Sequence, residues 1–485
     1  MKFSAPFRIL PALLLGTALL LGGCDSFVDK APISNPTRAT FYDTPEDFET
    51  AITGAYDALQ QEGTFSNHYW MLFEMRADNT DQGPDATGLA QKIALLNQFS
   101  ETSTNEILQR AWIDTYDGIE RTNVILDQID NLDDGPQKDR IRGEALFLRS
   151  LLYYHAAVAW GNITLKTAPT NSPDEAANTT TQTDGPGAVY DQITSDLETA
   201  KDLLPVRSAY SESEIGKATA GAANTLLGKV YLTQGEFSSA RTALQRVISS
   251  GEYSLVPSYG DLWGPENENN AESIFEVQYT TSGGEGSSFT NTFAPASDVV
   301  STGEGLAENR PTEGMENAYF DPNGDRFDAS METSYVDDDG VTQQARYITK
   351  FESDPFANFE AENNWVVLRY ADVLLMMSEA LDQTGGTTDD GRDKWALIDE
   401  VRTRAGLGSV QQDNFHERLL RERRVELAFE NHRWPDLLRF EQYISGVAQD
   451  RVEAEFGGSL PTNATYNPLF LIPQREVDVA GLSQN

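Results

Sequence analysis

The chain has 485 residues, with 76 acidic against 36 basic side chains and a net charge of −40 at pH 7. Such a surface repels nucleic acid and anionic lipid, and a lone cysteine allows neither an internal disulfide nor a cysteine-based metal cluster. Aromatic content of 10% argues for a packed core rather than disorder, and depletion of lysine (10 of the 36 cations) suits a high-salt medium that screens self-repulsion.

Lys2 and Arg8 precede an uncharged, leucine-rich run over residues 9–23 that ends in Leu21-Gly22-Gly23-Cys24. A positive start followed by a short apolar run is the layout of an export signal, and the run is too short for a comfortable bilayer span. The last four residues are similar to a bacterial lipobox, which makes Cys24 the expected site of acylation. The domain reading is therefore a signal peptide over 1–23, a lipid-anchored tether over 24–40 and a folded part over 41–485. Two or three acyl chains hold a protein on a membrane where one chain does not.

Thr44-Pro45 opens the first expected helix, with Thr44 as N-cap and Phe48, Ile52, Ala55, Tyr56 and Leu59 at helical spacing. Apolar periodicity predicts further helices over 107–132, 138–160 and 187–204, and a Thr/Asn/Pro-rich loop over 167–186. Residues 224–250 carry Leu227, Gly228, Tyr231, Ala240 and Leu244 at the spacing of a tetratricopeptide unit, with Gly235 in its turn. A second helical pair is expected over 365–381 and 393–405, too distant in sequence for a plain tandem array. Residues 251–364 differ in character: rich in Gly, Ser, Asn, Asp and Pro, with a possible strand over 273–279. The fold class is thus mainly α, a tetratricopeptide-like helical scaffold with a loop-rich insert containing a few short strands, and such an insert is where function is expected.

Three motifs carry a family resemblance. Residues 422–440 contain Glu422-Arg423-Arg424, then Glu426-Leu427-Ala428-Phe429-Glu430, then Arg433-Trp434 and Asp436-Leu437-Leu438-Arg439. Leu368-Arg369-Tyr370-Ala371-Asp372-Val373-Leu374-Leu375-Met376 and Gly143-Glu144-Ala145-Leu146-Phe147-Leu148-Arg149 supply the others. Together they resemble the SusD/RagB family of nutrient-binding outer-membrane lipoproteins, over essentially the whole mature chain. Two departures stand out: Asn431 replaces the usual small residue, and Thr164 stands where proline is frequent. The i,i+3 spacing of Arg433, Asp436 and Arg439 predicts an ion-pair ladder, read as structural. The resemblance implies capture of an oligosaccharide or peptide and delivery to a SusC-like TonB-dependent barrel transporter. It implies no catalysis and no cofactor.

Ligand residues do not follow from those motifs, because they sit in variable loops. The candidates are Trp70, Asp78 and Asn79 (with Tyr69) in the first loop region. In the insert they are Trp263, Phe289, Asn291 and Phe293, joined by Phe356 and Phe359: aromatics to stack on a ligand, amides and carboxylates to bond its polar groups. The alternative reading is a secreted glycosidase working through two carboxylates. With 76 acidic residues such a pair arises by chance, so it carries no weight. His68, His155, His416 and His432 show no metal-ligand spacing, and His155 reads as a core residue. Asp321, Asn323, Asp325 and Glu332 match calcium-loop positions, but Arg326 replaces the required glycine, so a structural turn is expected and no metal.

Overall fold

The computed structural model describes residues 41–82, 88–172, 175, 182–281, 283–319, 321 and 324–485. The signal peptide, Cys24 and the tether lie outside the described residues, as does Asn323. Helix α1 (Pro45–Asp57) begins as its sequence directs. Thr44 accepts from the Asp47 amide while the Asp47 side chain accepts from the Thr44 amide, a closed capping box. Two short helices follow, α2 (His68–Phe73) and α3 (Leu89–Asn97), then the long α4 (Glu106–Gln128) and α5 (Pro136–Trp160). Helices α6 (Gly187–Leu203), α7 (Ala220–Thr233) and α8 (Phe237–Ser250) continue the series.

These elements stack in order: α1 on α4 and α5, α4 on α5, α5 on α6, α6 on α7 and α7 on α8. Residues 224–250 fall within the hairpin α7–α8 as the spacing predicts. Gly235 turns it at φ +75°, and a Cβ at Gly228 would meet Leu244 at 2.6 Å, so only glycine lets the two helices close.

The insert holds short elements: α9 (Phe289–Phe293), α10 (Glu313–Glu316), α11 (Asp325–Asp328) and the strands β4 (Met331–Val336) and β5 (Thr342–Ile348), which form a hairpin. A second pairing joins β1 (Thr80–Asp81) to β3 (Arg310–Pro311), tying the insert to the first loop region. The third is the neck of the insert, where β2 (Ser273–Val277) lies antiparallel to β6 (Trp365–Arg369). This corrects one expectation. The period of residues 365–369 predicts helix, but Trp365, Val366 and Val367 form the strand that closes the neck, and helix begins at Tyr370. β-branched and aromatic side chains favour that pleated, paired surface.

After the neck come α12 (Tyr370–Thr384) and α13 (Lys394–Arg404). Helix α12 packs directly on α8, so the array broken in sequence by the insert is continuous in space. Helices α14 (Phe415–Glu426), α15 (Arg433–Phe440), α16 (Val447–Glu455) and α17 (Gln474–Ala480) complete the chain. The architecture is mainly helical with a few two-stranded sheets. Among the described residues no helix is long and apolar enough to cross a membrane.

Candidate functional site

The charged residues of the C-terminal motif turn inward. Arg369, at the end of the neck, is buried and donates to Glu272 (2.8 Å), Glu426 (2.6 Å) and Glu430 (2.7 Å), all equally buried. Arg404 shares Glu272 and Glu426, Arg326 of the insert reaches Glu422 (2.9 Å) and Glu426 (2.8 Å), and Lys350 reaches Glu430 (2.7 Å). Burial alone would raise these carboxyls; the surrounding guanidinium and ammonium groups instead hold Glu426 and Glu430 below the usual range. A second cluster links Lys229 to Asp372 (2.8 Å), Asp372 to Arg423 (2.8 Å), Arg423 to Asp436 (2.7 Å), Asp436 to Arg439 (2.9 Å) and Arg439 to Glu379 (2.9 Å). Half of the predicted ladder therefore forms. Arg433 does not join it; its fork grips Asp78 at 2.6 and 2.8 Å.

That pairing redirects the reading of the first loop region. Asp78 is buried between Arg433 and Arg424, which hold its carboxyl well below the usual range despite burial. Asn79 accepts from Arg424 (3.0 Å) and donates to Glu74 (3.3 Å), also buried. Trp70 is buried edge-on to Phe293 at 5.4 Å, and Tyr69 stacks on His155 at 4.8 Å. Burial lowers the His155 pKa to about 4, which makes it a neutral core residue.

The insert candidates follow the same pattern. Phe289 packs against Trp365 (4.9 Å) and Phe293 (6.1 Å), and Phe351 stacks on Trp365 at 4.7 Å, making an aromatic floor. Asn291 is buried and staples the loops above that floor, donating to the Thr302 and Glu304 carbonyls (2.9 and 3.0 Å) and accepting from the Phe359 amide (3.1 Å). In this conformation Trp70, Asp78, Asn79, Phe289, Asn291 and Phe293 present no surface to a ligand. Trp263 is half-buried, its ring covering the Lys350 ammonium at 4.3 Å, and Phe356 is exposed. Asp325 accepts from Ser258 (2.8 Å) and the Tyr259 amide (2.6 Å), the work of a structural turn.

Open space lies against α9, whose Thr290 and Ala294 line it. A cleft of about 580 Å³ runs between residues 264–266, one side of α9, residues 299–301 and the segment 352–354 with Glu362. Its walls carry four carboxylates (Glu266, Glu352, Asp354, Glu362) and three hydroxyls (Thr290, Ser301, Ser353). Burial and the neighbouring Glu276, Glu362 and Glu266 push the pKa of Glu268, at the edge of this group, up to about 8. Sequence reading missed these residues because acidic side chains are everywhere in the chain. The one usable signal was their clustering beside Trp263 and Phe356 within the insert. A cleft of this size and chemistry suits a ligand rich in hydroxyl donors.

Comparison with known proteins agrees with the fold. Residues 344–482 match the profile of the SusD family, and residues 26–232 match one described as starch-binding associating with outer membrane. A SusD-like protein P38 of Formosa agariphila is 27% identical over 492 residues, covering 91% of this chain and 94% of that protein. Among solved structures, a laminarin binding SusD-like protein has a TM-score of 0.77 at 28% identity, covering 91% of this chain and 98% of its own. A SusD superfamily protein from Bacteroides vulgatus has a TM-score of 0.75 at 25% identity, again covering 91% and 98%.

Proposed function

This chain belongs to the SusD/RagB family, and on that premise we propose that it is a surface glycan-binding protein. It captures a neutral oligosaccharide in the insert cleft and hands it to a SusC-like TonB-dependent barrel, binding without catalysis. The observation that carries the reading is the likeness to the laminarin binding protein over 91% of the chain, which takes in most of the insert. The cleft supports it physically. Sugar hydroxyls donate to carboxylates and hydroxyls, and such charge-assisted bonds are among the stronger ones. Glu266, Asp354 and Glu362 would repel an anionic sugar from the same place. Phe356 offers an exposed ring on the same segment for stacking on a sugar face.

Attachment belongs to the same proposal. Acylation at Cys24 would tether the domain to the outer membrane, and the profile matched by residues 26–232 supports that placement. The rigid helical array is the surface offered to a permanent barrel partner, while the insert faces the ligand.

Calorimetric titration with laminarin-type glucans and with a basic peptide tests the ligand. Asp354→Ala with Glu362→Ala should weaken glucan binding by about tenfold at unchanged melting temperature. Binding of the peptide alone, or glucan affinity indifferent to both substitutions, would remove the insert cleft as a sugar site. Cys24→Ala should release the protein from membranes, and a variant that still sediments with them after a high-salt wash would refute the anchor.

A further inference from the structure

The helical scaffold encloses a cavity of about 20 Å³ between α5, α7, β6 and the turn that joins α14 to α15. Its lining is mainly apolar, yet it includes two histidines, His155 of α5 and His432 of the turn, with Asn431 next to the second. All three are more than nine-tenths buried. Polar groups so placed must find their hydrogen bonds inside the protein or from a trapped molecule.

Fixed neighbours decide which nitrogen of each ring carries its proton. His432 Nδ1 faces the Lys229 ammonium at 2.9 Å, and Lys229 is itself paired with Asp372 at 2.8 Å. An ammonium has protons to give and no lone pair, so Nδ1 accepts and the His432 proton sits on Nε2. His155 is the opposite case. Its Nδ1 meets the Leu151 carbonyl at 2.9 Å, an acceptor only, so the proton sits on Nδ1 and Nε2 keeps its lone pair. Burial lowers the pKa of His155 to about 4 and that of His432 to about 3, so each ring is neutral and holds that single proton. His432 Nε2 and both side-chain amide atoms of Asn431 are buried without a partner among the described residues. The cavity is thus lined by a donor, an acceptor and an amide that can be either.

We infer that one ordered water occupies this cavity, accepting from His432 Nε2–H and donating to His155 Nε2 and Asn431 Oδ1. A water needs about 10–15 Å³ of such space and two to four polar partners, and the cavity offers both. The two charged residues of the lining, Lys229 and Glu430, are already matched, the first by Asp372 and the second by Arg369 and Lys350. A neutral occupant therefore fits better than an ion. The bridge fastens the α14–α15 turn to α5 through a bond that neither element can make alone, and it is independent of whatever the insert binds.

A crystal structure at a resolution that orders buried water tests this, together with nitrogen NMR of histidine-labelled protein near neutral pH. The map should show one peak within hydrogen-bonding distance of His432 Nε2 and His155 Nε2. The spectrum should show His432 protonated on Nε2 and His155 on Nδ1. His155→Phe, which keeps a ring and removes the acceptor, should lose the peak and one long-lived water by magnetic relaxation dispersion. Asn431→Gly should keep both, because the two rings remain. Absence of the peak in the parent overturns the inference, as does a peak that survives His155→Phe unchanged or a His432 protonated on Nδ1. An anomalous signal at the peak after a bromide soak would make the occupant an anion and overturn it too. If His155→Phe does not fold, the parent's map and spectrum still decide.

Discussion

Replacing Arg369 with alanine is the sharpest test of how the scaffold is held. The side chain is 1% exposed and serves three carboxylates that are equally inaccessible. Breaking a buried ion pair costs about 3–5 kcal/mol, because the surviving charge keeps its desolvation penalty. Here no carboxylate is left alone. Glu272 keeps Arg404, Glu426 keeps Arg404 and Arg326, and Glu430 keeps Lys350. The cost should therefore fall near the lower figure, about 3 kcal/mol. At roughly 2 cal/mol/K of unfolding entropy per residue, over roughly 440 folded residues, that is a fall of about 3–4 °C. Glu426 and Glu430 sit below their usual pKa in the folded protein, so their stabilisation is present above the ordinary carboxylate pKa and fades as pH falls through the folded one. Thermal melts should show the full deficit at neutral pH and a smaller one near pH 4. Arg369→Met, which fills the volume without the charge, should be little better than alanine. A deficit that methionine erases, or one equal at both pH values, would mean packing rather than charge holds this centre.

Three further outcomes follow. Burial pushes the Glu74 pKa up to about 8, so its contribution is full below the ordinary carboxylate pKa and lost as pH rises through 8; Glu74→Gln should hold its melting temperature between pH 6 and 9 while the parent declines. Asn431 stands at φ +67° with both side-chain amide atoms unpartnered, so Asn431→Gly should be neutral or stabilising and Asn431→Val should cost about 1–2 kcal/mol by denaturant titration. At a net charge of −40, melting temperature should rise with salt as the screening length falls from ~10 Å at 0.1 M to ~3 Å at 1 M; a flat response would refute a high-salt adaptation.

Periodicity made the long helices readable, because a buried face repeats wherever the chain winds against one neighbour. Helices α5 and α6 start and end within two residues of expectation for that reason. The strand at 365–369 reads as helix in the sequence because five residues are too few to separate a helical from a pleated period, and its partner lies about ninety residues upstream. Asn431 was legible only as a departure. Its left-handed backbone, which asparagine tolerates better than branched residues, explains why it substitutes for a small residue there. Ligand residues were the least legible. An aromatic or amide in a loop reads the same whether it faces solvent or staples the loop from beneath, as Asn291 does. Partnership across hundreds of residues, such as Arg433 with Asp78, leaves no local trace at all.

The paired strands Ser273–Val277 and Trp365–Arg369 bring the two ends of the insert to one point, while α8 and α12 pack together beneath it. In evolutionary terms this is a socket. Apart from Arg310–Pro311, which pairs with Thr80–Asp81, the segments between the strands can be exchanged as a cassette, and recognition can drift without reopening the array that carries it. The socket has two keys, however: Arg326 and Lys350 reach down from the cassette into Glu422, Glu426 and Glu430. A grafted cassette that lacks these two cations would strip buried acids of part of their counter-charge, leaving Glu422 to Arg402, Glu426 to Arg369 and Arg404, and Glu430 to Arg369 alone. Chimeras between such proteins should therefore succeed or fail on those two positions more than on the length or composition of the loops they transplant.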